Sequence, residues 1–269
     1  MTQVITFGNF KGGVGKTSNA TLVGYELSKM NKKVLIADLD PQGNATNILL
    51  NTKANIDGKV SHVDNSLMVS IENEDLSQSL VNIKDNLDLL ASAPDFSLFP
   101  RYMEKYTDYN ERVRAFNELL VKIKSNYDYV IIDTPPTISL ITDSALYASD
   151  YCLVIMQTHE HSFEGAKAYI EYIQTQVIDT YKAPRLDVIG ILAVLMQASA
   201  PVDEVAMQAA FDEFGDSNIF STKIHYMQRI KRFGLTGITS DTMFDRRVFA
   251  IYDKVVKELI ERIGVMENE

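Results

Sequence analysis

The stretch NFKGGVGKTSNA, Asn9 to Ala20, decides how the rest of the chain is read. It follows a short apolar run and carries three glycines and two lysines within the six residues Lys11 to Lys16. A strand ending near Gly8, this glycine-rich loop and a helix from Lys16 make the strand–loop–helix setting of a phosphate loop. Glycines let backbone N–H groups turn toward phosphate oxygens, and the N-terminus of the following helix adds its dipole. In that reading Gly12, Gly13, Val14, Gly15, Lys16, Thr17 and Ser18 cradle the phosphates. Lys16 reaches the β- and γ-phosphates, and the Thr17 hydroxyl ligates Mg²⁺. The strict pattern G-x-x-x-x-G-K-[ST] is broken at its first glycine, where Phe10 stands. A plain glycine-rich turn explains the glycines but not the Lys16-Thr17 pair.

Outward from the loop, compact runs rich in Val, Ile and Leu alternate with longer helical patterns. QVITFGN, KKVLIADLD, NLDLLASA, YDYVIIDTPP, DYCLVIMQ and LDVIGILAVLM read as strands. Apolar residues at successive positions mark strands buried on both faces, as in a parallel sheet. Helices are expected over 16–30, 109–125, 139–149, 164–180, 202–214 and 242–263, and residues 51–73 as surface loop with a short helix. Right-handed crossovers then give an α/β fold: a doubly wound, mostly parallel sheet with helices on both faces, in one domain over residues 1–269.

The 269 residues are 46% hydrophobic, enough for one large α/β domain. The one cysteine, Cys152, excludes a disulfide framework and a multi-cysteine metal site, and its apolar surroundings read as a buried thiol. The four histidines show no metal spacing beyond His159 and His161, and read as surface residues. No apolar stretch approaches a membrane span, and the start MTQVITF lacks the pattern of a signal peptide, so a cytoplasmic protein is expected. Net charge is −10, which argues against a broadly basic nucleic-acid binder. Residues 223–247 depart from that average, with six basic against two acidic residues, net +4, leaving −14 elsewhere. Such a cluster is by default a solvated face.

KGGVGKT resembles the deviant Walker A loop of the ParA/MinD family of P-loop ATPases. The resemblance gives the extra cation a use: Lys11 is implied to reach the partner's phosphates across a nucleotide-sandwich dimer, while Lys16 serves its own. A cation supplied by dimerisation stabilises charge developing on the phosphoryl oxygens. Two more motifs stand at the ends of expected strands, where open parallel sheets place ligands. LIADLDPQGNAT is similar to the family's switch I, which implies that Asp40 orients or deprotonates the attacking water and puts Asp38 near the metal. YVIIDTPP ends in Asp133, which the resemblance makes the Walker B carboxylate for Mg²⁺ or its water, ahead of a switch II segment from Thr134. DPQGN alone is also a good turn sequence.

The likeness runs through nearly the whole chain and sits closer to small partition ParA proteins than to MinD. It implies slow ATP hydrolysis, an ATP-dependent homodimer, non-specific DNA binding that places the protein on the nucleoid, and a ParB-like partner that stimulates release. The acidic end KELIERIGVMENE argues against membrane docking, and a loop this near residue 1 argues against an N-terminal helix-turn-helix domain. Thr158 and His159 replace the family's Pro and Glu after the fifth strand, with Glu160 as a substitute for holding Lys11. Adenine contacts fall by resemblance on Met196, Gln197, Tyr226 and Met227, with a core role open for both methionines. Arg229, Lys231 and Arg232 are the expected DNA contacts. The alternative is an ATPase of the same fold that positions a protein complex or regulates replication through protein contacts, without DNA.

Overall fold

The six apolar runs become strands of one eight-stranded sheet in the computed structural model, which describes residues 1–158, 160–196 and 201–268. In chain order these are β1 (Gln3–Gly8), β2 (Val34–Asp38), β3 (Leu80–Lys84), β4 (Leu87–Leu90), β5 (Tyr129–Asp133), β6 (Tyr151–Gln157), β7 (Asp187–Met196) and β8 (Ile224–His225). Their spatial order is β3-β4-β2-β5-β1-β6-β7-β8, and only the β3–β4 pair is antiparallel. The expected doubly wound, mostly parallel sheet is present. β3 and β8 are additions at its two edges.

The helices are α1 (Lys16–Lys29), α2 (Asn44–Asp57), α3 (Leu67–Glu72), α4 (Phe99–Tyr102), α5 (Tyr109–Lys124), α6 (Leu140–Ala148), α7 (Glu160–Tyr172), α8 (Pro201–Phe214), α9 (Gln228–Thr236) and α10 (Met243–Met266). A π-helical segment, Ile173–Ile178, continues α7. The second half of α2 falls in the stretch expected as surface loop with a short helix, and α9 was not foreseen.

Successive side chains of a strand point to opposite faces, and the core divides accordingly. Ile5, Phe7, Ile36 and Ile131 pack with α1, α2, α9 and α10. Val4, Leu35, Val130 and Ile132 pack with α5 and α6. Cys152, Val154 and Met156 pack with α7 and α8, so the thiol is buried as expected. The β1–α1–β2 connection leaves β1 toward one edge, whereas β5–α6–β6 crosses β1 toward the other. The carboxyl ends of β1, β2 and β5 therefore open a crevice at a topological switch point.

Candidate functional site

Seven residues wrap from the end of β1 to the start of α1. Gly13 and Gly15 have φ of +75° and +92°, a region where a side chain brings strain. Buried Asn9 donates from Nδ2 to the Ile155 carbonyl (2.8 Å) and accepts the Lys11 N–H on Oδ1 (2.8 Å). Gln157 Nε2 donates to the Gly13 carbonyl (3.1 Å). From the other side Asn19 Nδ2 donates to the Gly15 carbonyl (2.8 Å), and the Tyr252 hydroxyl donates to Asn19 Oδ1 (2.8 Å). Lys16 is 6% exposed, and its Nζ donates to the carbonyls of Asn9 (3.0 Å) and Lys11 (3.2 Å). Burial pushes its pKa down, while the Asp133 and Asp40 carboxylates act in the opposite direction. The Val14 side chain lies in the core, so only its backbone belongs to the cradle.

Asp38 and Asp133 stand opposite each other in the β2–β5 register. Asp38 is turned into the protein. Its Oδ1 accepts the Asp40 N–H (3.1 Å), and its Oδ2 accepts both the N–H and the hydroxyl of Thr46 (2.8 Å each). Burial raises its pKa to about 6 against those hydrogen bonds. With three donors and no exposure Asp38, expected from sequence near the metal, organises the Asp40 loop. Asp133 differs. It is fully buried, neither carboxylate oxygen accepts a hydrogen bond of normal geometry, and the Thr17 hydroxyl lies near enough to favour its ionised form. Burial, then the Asp38 charge, push its pKa well above the usual carboxylate range. A buried carboxylate with unfilled oxygens beside a hydroxyl is a hard-oxygen donor set.

The loop and Lys16 border a cleft of about 530 Å³. Gly12, Gly13, Gly15, Lys16, Thr17 and Ser18 form one wall, and Thr134 and Pro136 line it from the end of β5. Asp40 joins them; its Oδ1 accepts the Gln42 N–H (2.9 Å). Asn44 and Asn47 on α2 and Gly234 on α9 also line it. Sequence reasoning missed those three; the only trace was Asn at positions three apart on one helix face.

A family profile described as an AAA domain matches residues 2–188. The sporulation initiation inhibitor protein Soj of Bacillus subtilis is 32% identical over 200 residues, covering 74% of each chain. The chain belongs to the ParA/MinD family of P-loop ATPases. The chromosome partitioning protein ParA of Myxococcus xanthus is 30% identical over 205 residues, covering 74% of this chain and 67% of that protein. An ATP complex of an McdA variant from Cyanothece superposes with a TM-score of 0.80 at 19% identity, covering 98% of this chain and 96% of that one. That likeness establishes the fold.

Within the ParA/MinD fold the remaining expected residues separate. Tyr226 and Met227 line a second groove of about 680 Å³, and Met196 packs into the core with Ala193 and Met207. Gln197 lies outside the described residues, as does His159. α9 runs between the two cavities, giving Gly234 to the cleft and Leu235 to the groove. It is fastened to α2, since Asn55 Nδ2 donates to the Thr236 carbonyl (2.8 Å) and the Ile238 N–H donates to Thr52 Oγ1 (2.8 Å). Lys231, Arg232 and Arg247 are exposed along the groove. Arg229 is not free to join them. Its guanidinium is ion-paired to buried Asp245 and donates to Thr239 Oγ1 (2.8 Å), clamping α9 to the capped N-terminus of α10. Among the described residues no helix is long and apolar enough to cross a membrane.

Proposed function

We propose that the protein is a partition-type ATPase whose ATP-bound form closes into a dimer, holds DNA non-specifically and lets go on hydrolysis. The observation that carries this reading is the convergence of Lys16, Thr17 and Asp40 with the glycine loop at the cleft, with buried Asp133 beside Lys16 and Thr17. Backbone N–H groups of the loop and the Lys16 ammonium bind the β- and γ-phosphates. Asp40 accepts a hydrogen bond from the attacking water and aligns it with the γ-phosphorus, so the bond to ADP breaks and phosphate leaves. The orphaned Asp133 oxygens and the Thr17 hydroxyl fit Mg²⁺. Among the described residues no cluster of three or more His, Cys, Asp or Glu forms a self-sufficient metal site, in keeping with an ion that takes further ligands from phosphate and water. Bound there, Mg²⁺ neutralises charge on the phosphate oxygens.

Lys11 is half-buried at the first turn of the loop and makes no ion pair with a described residue. This supports its assignment to the partner's nucleotide. Lys11→Ala is expected to keep nucleotide affinity within about threefold and to lose about 100-fold in dimer-dependent turnover, the range for a phosphoryl-stabilising group. Light scattering with ATP, read beside phosphate release, checks it. Equal loss of nucleotide binding in Lys11→Ala and Lys16→Ala contradicts the division of labour.

DNA contacts are assigned to Lys231 and Arg232, with Arg247 beside them in place of Arg229. Reversing Lys231 and Arg232 to Glu is expected to weaken DNA binding about equally on all sequences and to flatten the salt dependence by roughly two units per protomer. Titrations at several salt concentrations with ATP, ADP and no nucleotide test this. The groove also exposes Leu235 (78%) and Phe244 (59%), apolar groups that favour a protein surface over a phosphate backbone. A parent protein that binds DNA in no nucleotide state decides for the second reading, an ATPase acting through protein contacts.

A further inference from the structure

The two halves of the phosphate loop are held by different parts of the protein. Gly15 is fixed by α1 and α10 through Asn19 and Tyr252. Asn9 and Lys11 are fixed by β6 and α7. A Cβ added at Gly165 of α7 would stand 3.0 Å from Asn9 Oδ1 and 3.8 Å from Lys11 Cβ, so glycine lets the helix lie against the loop.

Phe10, the residue that breaks the glycine pattern, is the wedge between them. Its ring meets Tyr169 at 4.7 Å and Tyr172 at 5.3 Å, with interplanar angles of 84° and 74°, the edge-to-face arrangement aromatic pairs prefer. Tyr169 is fully buried. Tyr172 is anchored further, since its hydroxyl donates to Asp143 Oδ1 (2.5 Å), while the Tyr109 hydroxyl donates to Oδ2 (2.7 Å). Asp143 is buried on α6, the helix that follows the Thr134-Pro135-Pro136 segment. Directly after Tyr172 the helix widens into its π-helical segment, an irregularity that recurs at functional sites. A continuous line of contacts therefore joins α6 to the residue before Lys11.

We propose that Phe10, Tyr172 and Asp143 are positioning residues for Lys11: the aromatic wedge, tied to α6 by the Tyr172–Asp143 hydrogen bond, holds the first half of the loop so that Lys11 is presented in one conformation. The inference rests on the assignment of Lys11 to the partner's phosphates. A cation that acts on a transition state must be held in place before the reaction, and a misplacement of about 1 Å costs as much as 100-fold in rate. Lys16 touches this half of the loop through the Asn9 and Lys11 carbonyls, but its own half is braced separately by α1 and α10 through Asn19 and Tyr252.

Turnover with ATP and Mg²⁺, together with the affinity for a fluorescent ATP analogue, tests the proposal. Phe10→Ala is expected to lower kcat about tenfold or more while KM and analogue affinity stay within about twofold, the pattern of a group acting only in the transition state. Phe10→Leu, which refills the wedge, is expected to recover most of that loss. Tyr172→Phe keeps the ring and removes one hydroxyl. It is expected to lower kcat about fivefold and carries the test if Phe10→Ala fails to fold. The double variant Lys11→Ala with Phe10→Ala is expected to turn over no more slowly than Lys11→Ala alone, since residues acting through one another are not additive. Multiplying losses in the double variant, or analogue affinity falling in step with kcat, overturn the proposal. Parent-level turnover of Lys11→Ala itself overturns the underlying assignment instead, which keeps the two failures apart.

Discussion

Lys16→Ala is expected to reduce ATP affinity by about 100-fold or more, because truncating one partner of a buried, hydrogen-bonded charge contact costs roughly 2–5 kcal/mol. The side chain is almost wholly buried, and its ammonium donates to two carbonyls of its own loop. Alanine removes that brace as well as the charge facing Asp133 and Asp40. Asp133 then loses a cation that favours its ionised form, and anionic phosphate meets the Asp40 side of the cleft with no ammonium to offset it. Titration with a fluorescent ATP analogue gives the affinity, and a thermal melt without nucleotide separates loss of binding from loss of fold. Parent-like affinity in a folded Lys16→Ala protein rules out the phosphate-loop assignment. Lys16→Arg is not a rescue, since a planar guanidinium does not fit acceptors spaced around a compact ammonium.

The parallel strands were legible because both their faces are buried, which writes continuous Val, Ile and Leu into β1, β2, β5 and β6. Edge strands carry no such mark. β3 reads LVNIK with mostly half-buried positions, and β8 has two residues, so neither rises above loop composition. α2 was hidden for another reason. It is capped by Gly43 at φ +63° with no side-chain cap, and its buried face mixes Ala45, Ile48 and Leu49 with Thr46 and Thr52, so the usual start signal is missing and the apolar stripe is short. The site divides the same way. The phosphate loop is local in sequence, so its residues could be named from their spacing. The fate of Asp38 depends on Thr46, and that of Arg229 on Asp245 sixteen positions away. Proximity in sequence grouped Arg229 with Lys231 and Arg232, but the helix turns its guanidinium inward.

Asp40→Ala is expected to lower turnover by about 100- to 10,000-fold, the range for a positioned general base, while leaving ATP bound. The two effects separate because the cradle and the water-facing group sit on different segments. Lys16, Thr17 and Asp133 come from α1 and β5, whereas Asp40 lies on the loop between β2 and α2. Removing a carboxylate from this cleft also removes repulsion toward the terminal phosphate, so ATP affinity should hold or tighten, and the closed dimer should accumulate. One structural effect needs a control. Asp40 Oδ1 accepts the Gln42 N–H (2.9 Å), and alanine loses that turn. Asp40→Asn keeps an acceptor for Gln42 but is a poor base, so it should lose turnover as fully as alanine while preserving the loop. The backbone bond from Gly43 N–H to the Asp40 carbonyl (2.8 Å) survives in both. Light scattering follows the dimer, and phosphate release follows turnover, each with ATP and Mg²⁺. If Asp40→Asn hydrolyses ATP at the parent rate, the carboxylate serves only to shape the loop, and the water must be aligned by another group in the cleft.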